Sequence, residues 1–148
     1  MTDIAGKNLL EAANNGRVSE VSSLLRDHPE INVNWTDDNG WTPLHIASCL
    51  GKVEIVKLLL AHPNIYVNLK KNGGRTTLSF GCWNGRVPVV ELLLKDPRVD
   101  VTRDDDFRCT PLYWASSYGY HKVIEWLIAS GRDLGDVKNK KGTLGDKD

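Results

Sequence analysis

The sequence predicts an all-α solenoid of stacked helix-turn-helix repeats, and three observations carry that prediction. Thr42-Pro-Leu-His-Ile-Ala, Thr76-Thr-Leu-Ser-Phe-Gly and Thr110-Pro-Leu-Tyr-Trp-Ala recur 34 residues apart. Gly51, Gly85 and Gly119 keep the same interval, as do the apolar runs that begin at Leu58, Leu92 and Trp126. Between copies, Asp37-Asp-Asn-Gly40 and Lys71-Asn-Gly-Gly74 have the Asn/Gly chemistry of tight hairpin turns. A period of this kind marks an array whose units bury their apolar faces against one another.

The elements follow in order. A degraded first copy runs from Leu9 through Gly16 to Val21, Leu24 and Leu25, its glycine 35 residues before Gly51. In the second, Thr42 before Pro43 suits a helix start, because the first helical amide has no intrahelical partner to lose. Leu44 and Ala47 share a face, and Gly51 can end the helix in the left-handed conformation. The next helix carries Val53, Val56, Leu59 and Leu60 inward with Glu54 and Lys57 outward, and His62-Pro63 stops it. Asn39 and Gly40 can both accept positive φ in the turn, which is expected to project as a finger. None of these helices, at roughly two to three turns, would stand alone in water. Pro88 falls in the first turn of its helix, where proline is tolerated.

Composition sets the bounds. Of 148 residues, 41% are hydrophobic and 26% charged, with 19 basic residues against 19 acidic. That balance gives no global pull toward nucleic acid or an anionic membrane. No run approaches the roughly 18 apolar residues of a membrane span, and the first residues are too polar for a secretory signal. Cys49, Cys82 and Cys109 are an odd count without a CxxC pair. They point to reduced thiols in the cytoplasm or nucleus rather than a secreted disulfide framework.

Gly40-x-Thr42-Pro-Leu-His-x-Ala47, Gly51-x-Val53-Glu-Ile-Val-x-Leu-Leu-Leu60 and Val67-Asn68 resemble the ankyrin-repeat family. The resemblance covers about residues 5–143 and is most specific in the second and fourth copies. It implies an ankyrin-repeat solenoid over 1–143, with repeats at about 5–36, 37–70, 71–104 and 105–137, helix pairs and short β-hairpin fingers. The third copy departs from the pattern, with Thr77, Ser79 and Gly81 in place of proline, histidine and alanine. Its first helix is expected to be the least rigid, since Gly costs roughly 1 kcal/mol against Ala in a helix. The connectors "DHPEINVN", "AHPNIYVN" and "KDPRVDVT" are one residue longer than the family's spacing, a local loop variation. Residues 138–148 begin a fifth turn and stop, as an aborted repeat or flexible tail. The fourth copy is expected to leave Trp114 and Ile128 beside almost nothing, which reads as a fragment of a longer protein, with a cap folded back from residues 132–148 or self-association of that end as the alternatives. A monomer with weak self-association through that end is expected.

Chemical candidates give way to structural readings. His45 stands where the family has a histidine that links the helix start to the adjacent turn. His28, His62 and His121 are scattered, and no zinc, phosphate-loop or Cys/His pattern appears. Asp104-Asp-Asp106 lacks the alternating ligands, glycine and closing Glu of a calcium loop and reads as a solvated finger tip. No enzyme, cofactor or metal is expected. Trp114 and Trp126 fall on the core positions of Ile46 and Leu58.

The resemblance also implies protein binding through finger tips and the exposed face of the first helices. Transferred by position, that face holds Asn14 and Asn15; Thr36, Asp38, Asn39, Trp41, Cys49 and Leu50; Lys70, Asn72, Gly73, Arg75, Trp83 and Asn84; and Asp104, Asp106, Phe107, Cys109, Ser117 and Tyr118. The candidate contact set is Trp41, Leu50, Lys70, Arg75, Trp83, Asn84, Asp106, Phe107 and Tyr118. Large aromatics and Arg dominate interface hot spots, and the scaffold alone gives no packing reason for Trp41 or Trp83. The alternative folds Trp41 onto its own finger and Trp83 onto the neighbouring helix. Lys70, Lys71 and Arg75 make the third finger basic and Asp104 to Asp106 the fourth acidic, so a partner of opposite pattern would complement them. The rival function is a spacer within a larger repeat protein. No nucleic acid or membrane partner is expected.

Overall fold

The computed structural model describes residues 4–135, which form eight α-helices and, among the described residues, no strand. They come in pairs: α1 (Ile4–Asn14) with α2 (Val18–Asp27), α3 (Pro43–Leu50) with α4 (Val53–Leu60), α5 (Thr77–Trp83) with α6 (Val87–Lys95), and α7 (Pro111–Ser117) with α8 (His121–Ala129). The first helices α1, α3, α5 and α7 pack on one another in that order, and α2, α4, α6 and α8 form a second row. Equivalent positions build the core. Ile55, Val89 and Val123 are buried, and so are Leu59, Leu93 and Leu127, which makes the apolar seam continuous along the stack. Residues 138–148, expected as an aborted repeat or tail, lie outside the described residues.

The helix starts are repeats of one device. The hydroxyl oxygens of Thr42, Thr76 and Thr110 accept from the amides of His45, Ser79 and Tyr113, so each orphan N–H finds a partner. Pro43 and Pro111 occupy the first turn of α3 and α7. Thr77, in the proline's place, donates its hydroxyl to the Val67 carbonyl at 3.1 Å. Gly81 is buried, and a Cβ there would lie 3.2 Å from Val90 Cγ2, so helix propensity is traded for close approach of α5 to α6.

His45 links two repeats. Its Nδ1 lies 2.8 Å from the Thr42 hydroxyl and its Nε2 2.7 Å from the Leu69 carbonyl. The carbonyl can only accept, so Nε2 carries the proton and donates, leaving Nδ1 to accept from Thr42. The ring is fully buried, and desolvation drives its pKa down to about 4 against a hydrogen bond to Leu69 that favours the charge. Connecting loops are tied similarly. Asn34 donates to the Asn64 carbonyl and accepts from the Tyr66 amide, and Asn68 does the same with Arg98 and Asp100 one copy later.

The fingers differ from the hairpins expected. Each is a turn closed by two bonds: Asp37 N–H to Trp41 carbonyl and Gly40 N–H to Asp37 carbonyl in the first, with equivalents at Lys71/Arg75 and Asp105/Cys109. The arm beyond Trp41 enters the helix cap at Thr42 at once, so no ladder can propagate. Only Gly40, not Asn39, has positive φ, at 84°. Gly74 at 81° and Arg108 at 62° repeat it, which makes Arg108 a side-chain-bearing residue in a conformation that favours glycine.

Two stability predictions follow from this geometry. An Ala Cβ at Gly74 would meet the Asp106 amide nitrogen at 2.8 Å, whereas one at Gly119 would meet nothing within 4 Å. Both lie at positive φ, so Gly119→Ala should cost about 1 kcal/mol in urea unfolding and Gly74→Ala clearly more. For His45 the folded pKa of about 4 lies below the unfolded 6.5, so the unfolded chain binds the proton more readily. Stability is therefore complete above pH 6.5 and falls as pH drops toward 4. The loss is about 3 kcal/mol. A His45→Gln variant should lack that segment of the pH–stability curve. Asp96, held below the carboxylate range by its hydrogen bond from Arg98, loses its own contribution only at lower pH.

Candidate functional site

The fourth finger is built around a buried carboxylate. Asp105 Oδ1 accepts from the amides of Phe107 and Cys109, and Oδ2 accepts from Trp114 Nε1 at 2.9 Å. Arg75 Nε lies 3.3 Å from Oδ2, an ion-pair distance at an angle that makes no hydrogen bond. Its side chain is 16% exposed and that of Asp105 0%, so little water screens the pair. Asp105 therefore corrects the reading of Asp104 to Asp106 as a solvated tip. The residue occupies the place of Asp37, whose own Oδ1 accepts from the amides of Asn39 and Trp41. A carboxylate at that position closes the turn from within.

Arg75 also organises the aromatics. Its guanidinium carbon stands 4.0 Å from the Trp83 ring centroid and 4.9 Å from that of Trp114. The two indoles stack with centroids 5.4 Å apart, and Trp83 Nε1 donates to the Tyr118 hydroxyl at 2.9 Å. The series extends through adjacent pairs from Trp41 to Phe80, Trp83, Trp114, Tyr118 and Tyr120, every step between 5.1 and 6.1 Å. These are aromatic contact distances, so the first-helix row carries one continuous tier of rings across three helix pairs.

That tier corrects the statement that packing gives no reason for Trp41 and Trp83. Trp41 is half-buried against Phe80 of the next helix rather than its own finger, with Lys71 Nζ 4.5 Å over its ring. Trp83, also half-buried, lies on the neighbouring α7 through Trp114, as the alternative reading had it. Trp114 is not left beside almost nothing, since it stacks on Trp83 and Tyr118 and is bonded to Asp105; Ile128, at 65% exposed, is the bare residue of that end. Cys109, expected to be exposed, is buried beneath the finger, and burial pushes its thiol up to about 11.

The remaining candidates spread over the face. Phe107 and Tyr118 are 55% and 50% exposed, and Leu50 is 37% exposed at the end of α3. Asn84 is exposed while its Nδ2 donates to the Phe80 carbonyl. Lys70 Nζ sits 3.8 Å from Asp104 Oδ1, so the expected basic and acidic fingers meet each other. With Arg75 held by Asp105 as well, their opposite charges cancel within the chain instead of facing outward. Asp106 is exposed, and its amide donates to the Gly73 carbonyl, joining the third and fourth fingers. Asp105, Phe80 and Trp114 are site-building residues that sequence reasoning missed. Phe80 and Trp114 share one repeat position, and that coincidence was the available signal.

Among the described residues, no group of three or more His, Cys, Asp and Glu side chains converges on a metal position. No helix among them is long and apolar enough to cross a membrane.

Removing the carboxylate should show how much the site rests on it. Asp105→Ala leaves Arg75 unpaired and two finger amides without an acceptor, and should cost about 3 kcal/mol in urea unfolding. Asp106→Ala, at an exposed side chain of the same finger, should stay within about 0.5 kcal/mol of the parent. Equal effects would remove Asp105 from the centre of the site.

A sequence-family model described as "Ankyrin repeats (3 copies)" matches residues 9–105 and 68–141. The chain is also similar to the Saccharomyces cerevisiae protein named "Probable 26S proteasome regulatory subunit p28". The two are 35% identical over 126 residues, which cover 83% of this chain and 55% of that protein. The chain thus spans about half the length of the curated relative it matches.

Proposed function

This chain belongs to the ankyrin-repeat family, and from that premise we propose that it is a non-enzymatic module that binds a protein partner on its fingers and first-helix row, the family's concave face. The array is taken over 1–143 with repeats at about 5–36, 37–70, 71–104 and 105–137, acting in the cytoplasm or nucleus. The observation that supports this reading is the pair Phe107 and Tyr118. Both are about half exposed, and Tyr118 stacks on a tier in which Trp83 and Trp114 are half-buried and cross-braced. An aromatic held at the edge of a fixed tier loses little freedom when a partner covers it, and ordering a mobile side chain would cost about 0.5–1.5 kcal/mol.

The candidate residues take different roles in this reading. Phe107, Tyr118 and Leu50 are the contacts, with Asn84, Asp106 and Lys70 at the polar margin. Arg75 is a positioning residue, since its charge is met by Asp105 and its plane by two indoles. Trp83 and Trp41 present only their uncovered parts. A second reading, a spacer segment of a larger repeat protein, draws support from the inward packing of those two tryptophans.

The yeast relative's printed role offers one concrete assembly to try. Immobilised chain would be incubated with purified 26S proteasome regulatory particles and with fractionated lysate, and captured partner quantified. Phe107→Ala and Tyr118→Ala should each weaken capture by about tenfold, in the range of interface anchors. Ile128→Ala, on the other helix row, should leave it unchanged. Unchanged capture by both aromatic variants, with folding intact, would favour the spacer.

A further inference from the structure

We infer that the cleft between α1 and the first finger receives a cationic side chain, arginine or lysine, from the protein partner. The inference rests on the binding reading above and names the chemistry the partner must bring to this end of the face. The cleft, about 180 Å³, is lined by Leu10, Glu11, Asn14, Asp37, Trp41 and Ile46. Leu10 is buried, and Ile46 and Trp41 are half-buried, so the floor and one wall are apolar. Two carboxylates and one amide complete it. A long cationic side chain matches that composition, because its methylenes cover apolar surface while its head stays with the carboxylates.

Charge accounting picks out this cleft. On the third and fourth fingers Lys70 is paired with Asp104 and Arg75 with Asp105. Among the described residues Glu11, Asp37 and Asp38, like Asp106 and Asp133, stand in no ion pair, and of these Glu11 and Asp37 line the cleft. Asp37 spends Oδ1 on the amides of Asn39 and Trp41, and these bonds fix the carboxylate at the cleft's edge with Oδ2 to spare. Lys71 Nζ lies 4.5 Å over the Trp41 ring and makes no ion pair with either carboxylate. Lys7, one turn from Glu11 on α1, makes none either. The result is a negative edge without an ion pair above an apolar floor, at the Trp41 end of the aromatic tier.

The test needs no partner. The full chain, labelled with nitrogen-15, is titrated with a Gly-Arg repeat peptide and, separately, with a Gly-Glu repeat peptide. The Trp41 indole N–H and the amides of Glu11 and Asn14 should shift saturably with the first and not with the second. The Trp83 and Trp114 indoles should stay in place. Glu11→Gln and Asp37→Asn should each weaken the interaction by about threefold, as expected for an exposed charge pair, and added salt should weaken it further. Asparagine retains the oxygen that accepts the finger amides; should Asp37→Asn nevertheless unfold, the exposed Glu11→Gln decides alone. Binding that survives the charge removal, or shifts centred away from Trp41, overturns the inference. Because Phe107 and Tyr118 take no part in this titration, its failure leaves the capture experiment standing, and the reverse also holds.

Discussion

Helices of 7 to 11 residues cannot hold themselves together in water, and the rest of this structure answers to that constraint. Each apolar stripe must be covered by the next copy, and each cross-copy contact must be made in the same register or the stripes would slip. The register is held by polar bonds spaced about one repeat apart. Asn34 and Asn68 lace adjacent loops, and His45 reaches the carbonyl of Leu69 before the following finger. Arg98 donates to the Leu60 carbonyl and Arg132, one copy on, to that of Leu94. These groups are local in space and distant in sequence, so the array gains cooperativity that no single pair could have.

The third copy shows what happens when the pattern is relaxed. Serine replaces the linking histidine, so no imidazole crosses from α5 to the next finger. At the same level Arg75 crosses instead and meets Asp105 in the fourth finger. The two ties differ in character. The His45 bond is neutral and works above its pKa, whereas the Arg75–Asp105 pair is ionic and depends on exclusion of water. The buried pair is strong only because Asp105 is otherwise fully bonded, through two amides and an indole.

Much of this was legible in the sequence, and the boundary is physical. Period, caps and core positions were readable because each depends on residues within a few places of one another. Thr42, Pro43 and Gly51 specify a helix start and stop locally, and the structure uses them so. The exposure of Trp83 was not readable, because it depends on Trp114 31 residues later and on Arg75 above both rings. The same holds for Asp105. Three consecutive aspartates look alike as letters, yet only the middle one occupies the place that Asp37 fills in the earlier finger. Likewise, opposite charges on successive fingers invited a pattern offered to a partner, when the fingers are near enough to neutralise each other.

The glycines that end the first helices make a final argument about how copies are added. A Cβ at Gly16 would meet Lys52, one at Gly51 would meet Arg86, and one at Gly85 would meet Tyr120, each within 3.0–3.2 Å. The residue that starts each second helix thus lies across the glycine of the preceding pair. The glycine is required twice there, once for its positive φ and once for the space its missing side chain leaves. Identity of the covering residue is free, since lysine, arginine and tyrosine all fit, but its length is not. Gly119 has the same φ, 69°, and among the described residues no atom within 4 Å of where its Cβ would be. Gly16, Gly51 and Gly85 therefore each end a first helix and also seat the start of the next pair's second helix, which ties helix termination to stacking.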